Sequence, residues 1–396
     1  MPSHPLNSLR PLEIELKNPK SGAMNFKYLR VGFCVGLLLA VAACSSVDKP
    51  KPAPLGANPA LFGVRNAWST NLGEVGYSMQ LATVGAQLAV ASTLGTVAVL
   101  DANTGTDVWR IATKDSIAAG VGFDGKRVAV VSKTNALIVF GAGEELWRAN
   151  LGTSVVTPPL VAGGRVFVLG GNKTVFAFDG ATGRQLWQQQ RGVDTLVLRQ
   201  PGLLTAVGDT LVLGVGGRIQ GLNPMNGALR WDLAVANSRG SNEVEKLVEL
   251  SAGVARSGSQ LCVRAYPHAV ACIDTAQPAL QWTKSSTGYS GLAGDSETVF
   301  GVDTQGVINA YKRQTGDGVW TSNFLRYRQV SAPAVIGRSV VVGDAEGNVH
   351  LLAKVDGSVL TRMTTDGSAI VSPPILAGQT LVVVTRRGGV FGFKPE

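Results

Sequence analysis

Cysteine is scarce in this chain, with four in 396 residues, so the fold does not rest on a disulfide framework. Histidine is scarcer still. His4, His268 and His350 are too few and too scattered to form a transition-metal cluster or a proton relay, and a hydrolase triad is not expected. Only 16% of the residues are charged and 6% aromatic, and no sustained helical periodicity runs through the chain. The apolar run from Val31 to Val41 is too short to span a bilayer. No Lys/Arg run exceeds a pair such as Arg386-Arg387, so nucleic acid is not an expected partner and the positive balance reads as solvated surface.

What the chain has instead is glycine, 49 of them, and a repeat. The stretch Gly95 to Trp109, GTVAVLDANTGTDVW, returns at Lys173–Trp187, Gly217–Trp231, Gly306–Trp320 and, without its tryptophan, Gly347–Thr361. Shortened copies end at Trp147 and Trp282, and a last one, Gly389 to Phe393, is cut off by the end of the chain. Alternation of Val97, Val99 and Trp109 predicts two half-buried strands joined by Asp-x-x-Thr-Gly turn chemistry. Asp101 and Thr104 are suited to bond local backbone N–H groups, and Gly105 to take a positive φ.

All seven tryptophans occupy one position of this repeat: Trp68, Trp109, Trp147, Trp187, Trp231, Trp282 and Trp320, at spacings of 41, 38, 40, 44, 51 and 38. Thr361 fills the eighth site. A period near 40 with several strands per repeat means a propeller, and the recurrent ring reads as a spacer docking neighbouring blades. A second set of apolar strands, from Leu88–Ala91 to Leu381–Val384, and a weaker strand before each, bring the expectation to an all-β, eight-bladed propeller with four-stranded antiparallel blades over residues 60–396. The Trp68 segment is expected to complete the blade formed by residues 370–393. Such closure is expected to leave few free edges.

The first 43 residues read as a signal region with Met24 as the expected true start. Lys27 and Arg30 precede the apolar run, which ends in Val41-Ala42-Ala43-Cys44. That ending resembles the bacterial lipobox, which implies a diacylglycerol on Cys44. Ser45 and Ser46 then imply outer-membrane sorting, with the protein facing the periplasm. Residues 44–59, holding Pro50, Pro52, Pro54 and Pro59, are expected to form an extended tether. Removing residues 1–43 takes away five basic and two acidic side chains, so the formal charge falls from +9 to about +6.

Cys262 and Cys272 lie on paired strands equidistant from Pro267, which predicts a cross-strand disulfide in an oxidising compartment. A redox-active pair is the weaker alternative, because C-x-x-C spacing and a charged activator are missing. The lone G-x-G-x-x-G at Gly120–Gly125 precedes a strand rather than a helix and reads as a turn, and Trp231-Asp232 without a Gly-His signature does not make a WD40 protein.

The Asp-x-x-Thr-Gly-x-x-x-Trp repeat resembles the PQQ-type β-propellers. Quinoprotein alcohol dehydrogenases share it but hold PQQ and Ca²⁺ with a vicinal cysteine pair that this chain lacks, so no cofactor or metal is expected and no enzyme. A polysaccharide-binding lipoprotein would need an exposed aromatic platform, and the tryptophans are committed to the blades. With the lipobox, the repeat is similar instead to the propeller lipoproteins of the outer-membrane β-barrel assembly machinery. That resemblance implies a scaffold that binds the periplasmic (POTRA) domains of the barrel subunit BamA and other subunits of the assembly complex, with unfolded outer-membrane proteins as further candidate partners.

Loop lengths point to a surface. Trp187 to Val212 spans 25 residues and Trp231 to Cys262 spans 31, against 20, 20 and 21 for Trp109 to Ala129, Trp147 to Phe167 and Trp320 to Val341, so two adjacent interblade loops are enlarged. The first reads Thr195-Leu196-Val197-Leu198-Arg199; the second carries Glu243, Glu245, Lys246 and Glu249 among Val244, Leu247 and Leu250. Apolar anchors beside charges suit an interface. The resemblance implies partner contacts at Leu196, Leu198, Arg199 and Glu249. The competing reading makes Leu196 and Leu198 the continuation of a blade strand.

Overall fold

Glycine-punctuated runs of β-branched residues form strands, and each set of four is joined by turns too short for anything but antiparallel neighbours. The computed structural model describes residues 50–192, 198–237, 241 and 247–396. Within the unit Lys51–Glu396 the strands assemble into eight sheets, each four strands deep except for a short extra strand in the fifth. Blade one is typical: Ala82–Val84 lies innermost, followed by Gln87–Ala91, Thr96–Asp101 and Asp107–Ala112 at the rim. The two central strands are buried along nearly their whole length, whereas the rim strand is half exposed. This is the expected eight-bladed propeller.

The eighth blade is sealed by the two ends of the propeller. Val64–Asn71 pairs with Gly389–Pro395 in antiparallel register, Val64 opposite Pro395 and Asn71 opposite Gly389. The expected closure is therefore present, but it does not remove strand edges. Every blade keeps one outward-facing rim strand, because ring closure joins blades side by side and pairs nothing with the fourth strand of each sheet; among the described residues only in blade seven is that strand covered, by the amino-terminal segment described below.

A feature the repeat did not announce is a bulge at one position of every blade. The register slips between Val99 and Leu100 opposite Trp109, and again at Val139/Phe140, Ala177/Phe178, Gly221/Leu222, Cys272/Ile273, Ala310/Tyr311 and Leu351/Leu352; in blade eight it falls between Asn66 and Trp68. Strict alternation would send the residue before each tryptophan inward. The bulge re-aims the pair, so Val108, Leu146 and Val319 are about half exposed while the ring after each turns to the next blade.

There the ring meets the Asp-x-x-Thr-Gly turn. Trp68 Nε1 donates to Ala102 O (2.8 Å), Trp147 to Gly180 O (3.0 Å), Trp187 to Pro224 O (3.0 Å), Trp282 to Arg313 O (2.7 Å) and Trp320 to Lys354 O (2.9 Å). The acceptor each time belongs to the turn of the following blade. The turn glycine is needed twice over. Gly183 has φ +75°, and a Cβ on it would lie 2.6 Å from Trp147 Cδ2. In blade eight the two outermost strands come from opposite ends of the propeller, so no turn joins them to receive a ring, and on the rim strand of blade seven the small, buried Thr361 stands where the other blades carry tryptophan.

Cys262 and Cys272 face one another in register in blade five, Cα atoms 4.0 Å apart, both fully buried and disulfide-bonded. Gly120–Gly125 runs from the strand Ile117–Phe123 into a turn, with no helix following.

The tether expected over residues 44–59 is extended where it is described, but it is docked. Ala53 N donates to Arg326 O (2.9 Å), and Arg328 Nη1 to Ala53 O (3.0 Å). Asn58 exchanges two bonds with the Arg362 backbone, and Leu61 N donates to Leu360 O (2.9 Å). Leu55 packs against the apolar cluster of Val302, Leu325 and Val330. Residues 53–61 thus run beside the rim strand Val359–Thr364 of blade seven. Pairing of this kind is invisible to composition, which registers only the prolines.

Candidate partner interface

The two enlarged loops come together. Between the rim strand of blade three, ending at Gln190, and the inner strand of blade four, starting at Leu204, the chain makes a loop; the second loop follows Ala234 and enters blade five. Pro201 O accepts from Ala252 N (2.8 Å), Gly202 bridges Ser251, and Leu203 N donates to Leu250 O (2.9 Å). The second loop is itself stitched to blade five, because Glu249–Leu250 pairs with Tyr266 and Ala265. The described ends of both loops, residues 201–203 and 249–252, are therefore held by backbone ladders rather than left to their own entropy.

Glu249 locks them. One carboxylate oxygen pairs with Lys173 Nζ, reaching across from the tight turn of blade three, where Lys173 itself has φ 60°. The other accepts the backbone N–H of Leu198 at 3.1 Å. Both charged side chains are nearly buried, with relative exposures of 9% and 11%. An acid placed by sequence on the partner-facing surface is thus turned inward, with each oxygen engaged by its own chain. A buried pair of this kind contributes little net stability but makes removal of either member costly, on the order of 3–5 kcal/mol.

What remains outward is Arg199, exposed, beside the half-buried Leu198. Leu198 lies outside any strand, so the blade-strand alternative does not apply to it. Leu196, Glu243, Val244, Glu245 and Lys246 fall outside the described residues, as does Cys44. Leu247 is half-buried, and Val248 and Leu250 are buried in the apolar cluster of Leu203, Val212 and Ile219.

Buried charge elsewhere serves packing. Asp344 accepts from Arg328 Nε (2.9 Å) and from the Asn348 backbone and side chain, and lies 3.1 Å from His350 Nε2. Burial pushes its carboxyl up, but the bonds from His350, Asn348 and Arg328 outweigh that and hold it well below the usual carboxylate range. Arg264 is fully buried between blades five and six, donating to Ser290 O and Thr287 O, and burial pushes its guanidinium down to about 10. Arg313, equally buried, reaches Ala255 O and lies 3.4 Å from Cys262 Sγ. Neither arginine was singled out from sequence, since nothing local distinguishes a buried cation from a surface one. Among the described residues no three His, Cys, Asp or Glu side chains converge as metal ligands. A cavity of about 210 Å³ lies against the inner strands, lined by Gln80, Val121, Phe123, Pro159 and Leu204 among others.

The fold and the docked loops define an eight-bladed PQQ-type repeat propeller with a built surface at the junction of blades three to five. Solved structures agree on the class. The chain superposes on BamB from Moraxella catarrhalis with a TM-score of 0.77 and 26% identity, covering 84% of this chain and all of that one. It also superposes on a quinohemoprotein alcohol dehydrogenase from Comamonas testosteroni with a TM-score of 0.66 at 14% identity, covering 87% and 79%, a likeness of fold alone.

The sequence narrows the class to one family. The profile described as outer membrane protein assembly factor BamB matches residues 93–322 and 305–396. The assembly factor BamB of Burkholderia pseudomallei is 36% identical over 369 residues, 92% of this chain and 97% of that protein. That of Bordetella pertussis is 31% identical over 361 residues, covering 89% and 94%. The chain belongs to the BamB family.

Proposed function

We propose that this protein is a non-enzymatic scaffold for the assembly of outer-membrane proteins, held at the outer membrane by a lipid on Cys44 and facing the periplasm. The reading is carried by family membership across nearly the whole chain together with one geometric observation: two enlarged loops clasped by a buried ion pair so that Leu198 and Arg199 are offered at the surface. A rigid apolar anchor beside an exposed guanidinium fits a carboxylate-bearing protein surface, since the planar fork bonds carboxylate bidentately and the leucine supplies area at low entropic cost. In this reading the partner is the periplasmic POTRA region of the barrel subunit BamA. Leu196 adds a second anchor, and Glu249 acts from behind by fixing the loop. The Cys262–Cys272 bond belongs to the oxidising periplasm.

The test is co-purification of the tagged protein from outer membranes, wild type beside Leu198→Ala/Arg199→Ala, with the bound proteins identified by mass. The barrel subunit should be retained by wild type and lost by the folded double variant. Wild type that retains no member of the assembly complex would overturn the function; a double variant that binds as well as wild type would overturn the surface.

A further inference from the structure

Strand direction sorts the loops of this propeller. In each blade the second strand joins the third at the same end where the rim strand leads to the next blade, and bonds across that end tie the two kinds of loop together: Val75 N to Arg386 O, Lys133 N to Ser116 O, Ala345 N to Arg328 O. These loops form one face. On the part contributed by blades six to eight, one and two it carries the exposed Lys114, Lys133, Arg326, Arg386 and Arg387. Acid there is sparse or engaged. Glu74 and Glu346 are exposed, the latter paired with Arg328, whereas Asp303 is bonded by the Gln305 and Val307 backbone, Asp366 by Ser368 and Thr385, and Asp115 by Thr113 and Arg148.

The amino-terminal chain also arrives at this face. Ala53 is fixed to Arg326 and Arg328 in the loop between blades six and seven, with the exposed Lys51 two residues before it. Eight residues separate Cys44 from Ala53 and include Pro50 and Pro52. At about 3.1 Å per residue such a segment reaches roughly 25 Å. A chain anchored at Cys44 therefore holds Ala53, and with it the Arg326 loop, within roughly 25 Å of the bilayer, about three Debye lengths at most and closer whenever the segment is less than fully extended.

We infer that this sector of the loop face, centred on Arg386, Arg387 and Arg326, is a membrane-apposing surface that binds anionic phospholipid headgroups and sets the orientation of the propeller to the leaflet. The inference rests on the lipid-anchor reading of Cys44 for its geometry, and on the charge distribution for its chemistry. It is spatially separate from the Leu198–Arg199 surface, which lies on blades three to five, so one face serves bilayer and protein partner at once. Each basic side chain near an anionic surface strengthens binding roughly fivefold.

The experiment uses the full chain carrying Cys44→Ser, which abolishes acylation, and vesicles of phosphatidylglycerol with phosphatidylethanolamine beside vesicles of phosphatidylcholine. Co-sedimentation should favour the anionic vesicles, fall with added salt, and drop about tenfold or more in Arg386→Ala/Arg387→Ala. Lys133→Ala on an adjacent part of the face, checked for wild-type circular dichroism, should give a smaller loss in the same direction. Equal binding to both vesicle types, or binding untouched by these variants, overturns the inference. So does a double variant that loses a protein partner while neither chain binds vesicles, which would make the patch a protein contact. The mass of the Cys44 peptide from wild-type membranes reports the anchor separately: an unmodified cysteine removes the anchor reading, whereas a lipidated one with indifferent vesicles removes this inference alone.

Discussion

Replacing a turn glycine should separate backbone strain from interblade docking. Gly183→Ala puts a side chain on a residue with φ +75° and 2.6 Å from the Trp147 ring. Gly208→Ala imposes a similar left-handed backbone, φ +58°, with nothing within 4 Å of the new Cβ. The strain alone costs about 1–2 kcal/mol. Displacing a seated indole adds an overpacking cost of about 1–3 kcal/mol, so Gly183→Ala should be the worse variant by that second amount. Urea unfolding followed by far-ultraviolet circular dichroism measures both, with unchanged slope as the sign that only stability has moved. A third variant closes the argument. On a Trp147→Ala background the alanine at 183 should cost only its strain, giving a favourable coupling between the two sites. Equal destabilisation of Gly183→Ala and Gly208→Ala, or strict additivity with Trp147→Ala, would refute the claim that the turn glycine is a seat for the neighbouring ring.

Two other consequences are as direct. Asp344 is more acidic folded than unfolded, so its stabilisation is complete above the ordinary aspartate value of about 3.9 and is lost as pH falls below it. The stability gap between wild type and Asp344→Asn should therefore be wide at neutral pH and shrink on acidification; a gap constant down to about pH 2 would show that the charge is irrelevant. Glu249→Ala leaves the Lys173 ammonium buried and alone and should cost about 3–5 kcal/mol, whereas Lys173→Met/Glu249→Leu should recover much of it. Because Leu198 then loses its acceptor, both changes should weaken retention of the barrel subunit, and intact retention would show that the loop needs no clasp.

The ring was legible in sequence because each hairpin is encoded within some fifteen residues: alternation sets the strands, Asp-x-x-Thr-Gly the turn, and the tryptophan the period. Even the sealing of blade eight could be read, from Trp68 standing without a blade before it. The bulge beside each tryptophan was not, because one extra residue leaves composition unchanged and only the pairing reveals it. Glu249 was read as a surface acid for the same kind of reason. Its partner Lys173 lies 76 residues away in another blade, and the loop carries no period to betray which side faces in. The docking of residues 53–61 was hidden likewise, since edge pairing of an irregular segment depends on backbone atoms that every residue shares.

Sealing the ring with Val64–Asn71 against Gly389–Pro395 has a consequence for how the molecule comes into being. The first strand made must wait for the last. Until some 320 further residues have emerged, the nascent protein is an open crescent whose eighth sheet is incomplete, its rim strand made first and its other three strands last. Contacts of such sequence separation form late and slowly. Completion is thus an all-or-nothing check on the integrity of the chain: a copy truncated by even its final strand leaves Val64–Asn71 without a mate, and betrays itself to quality control as an unclosed arc.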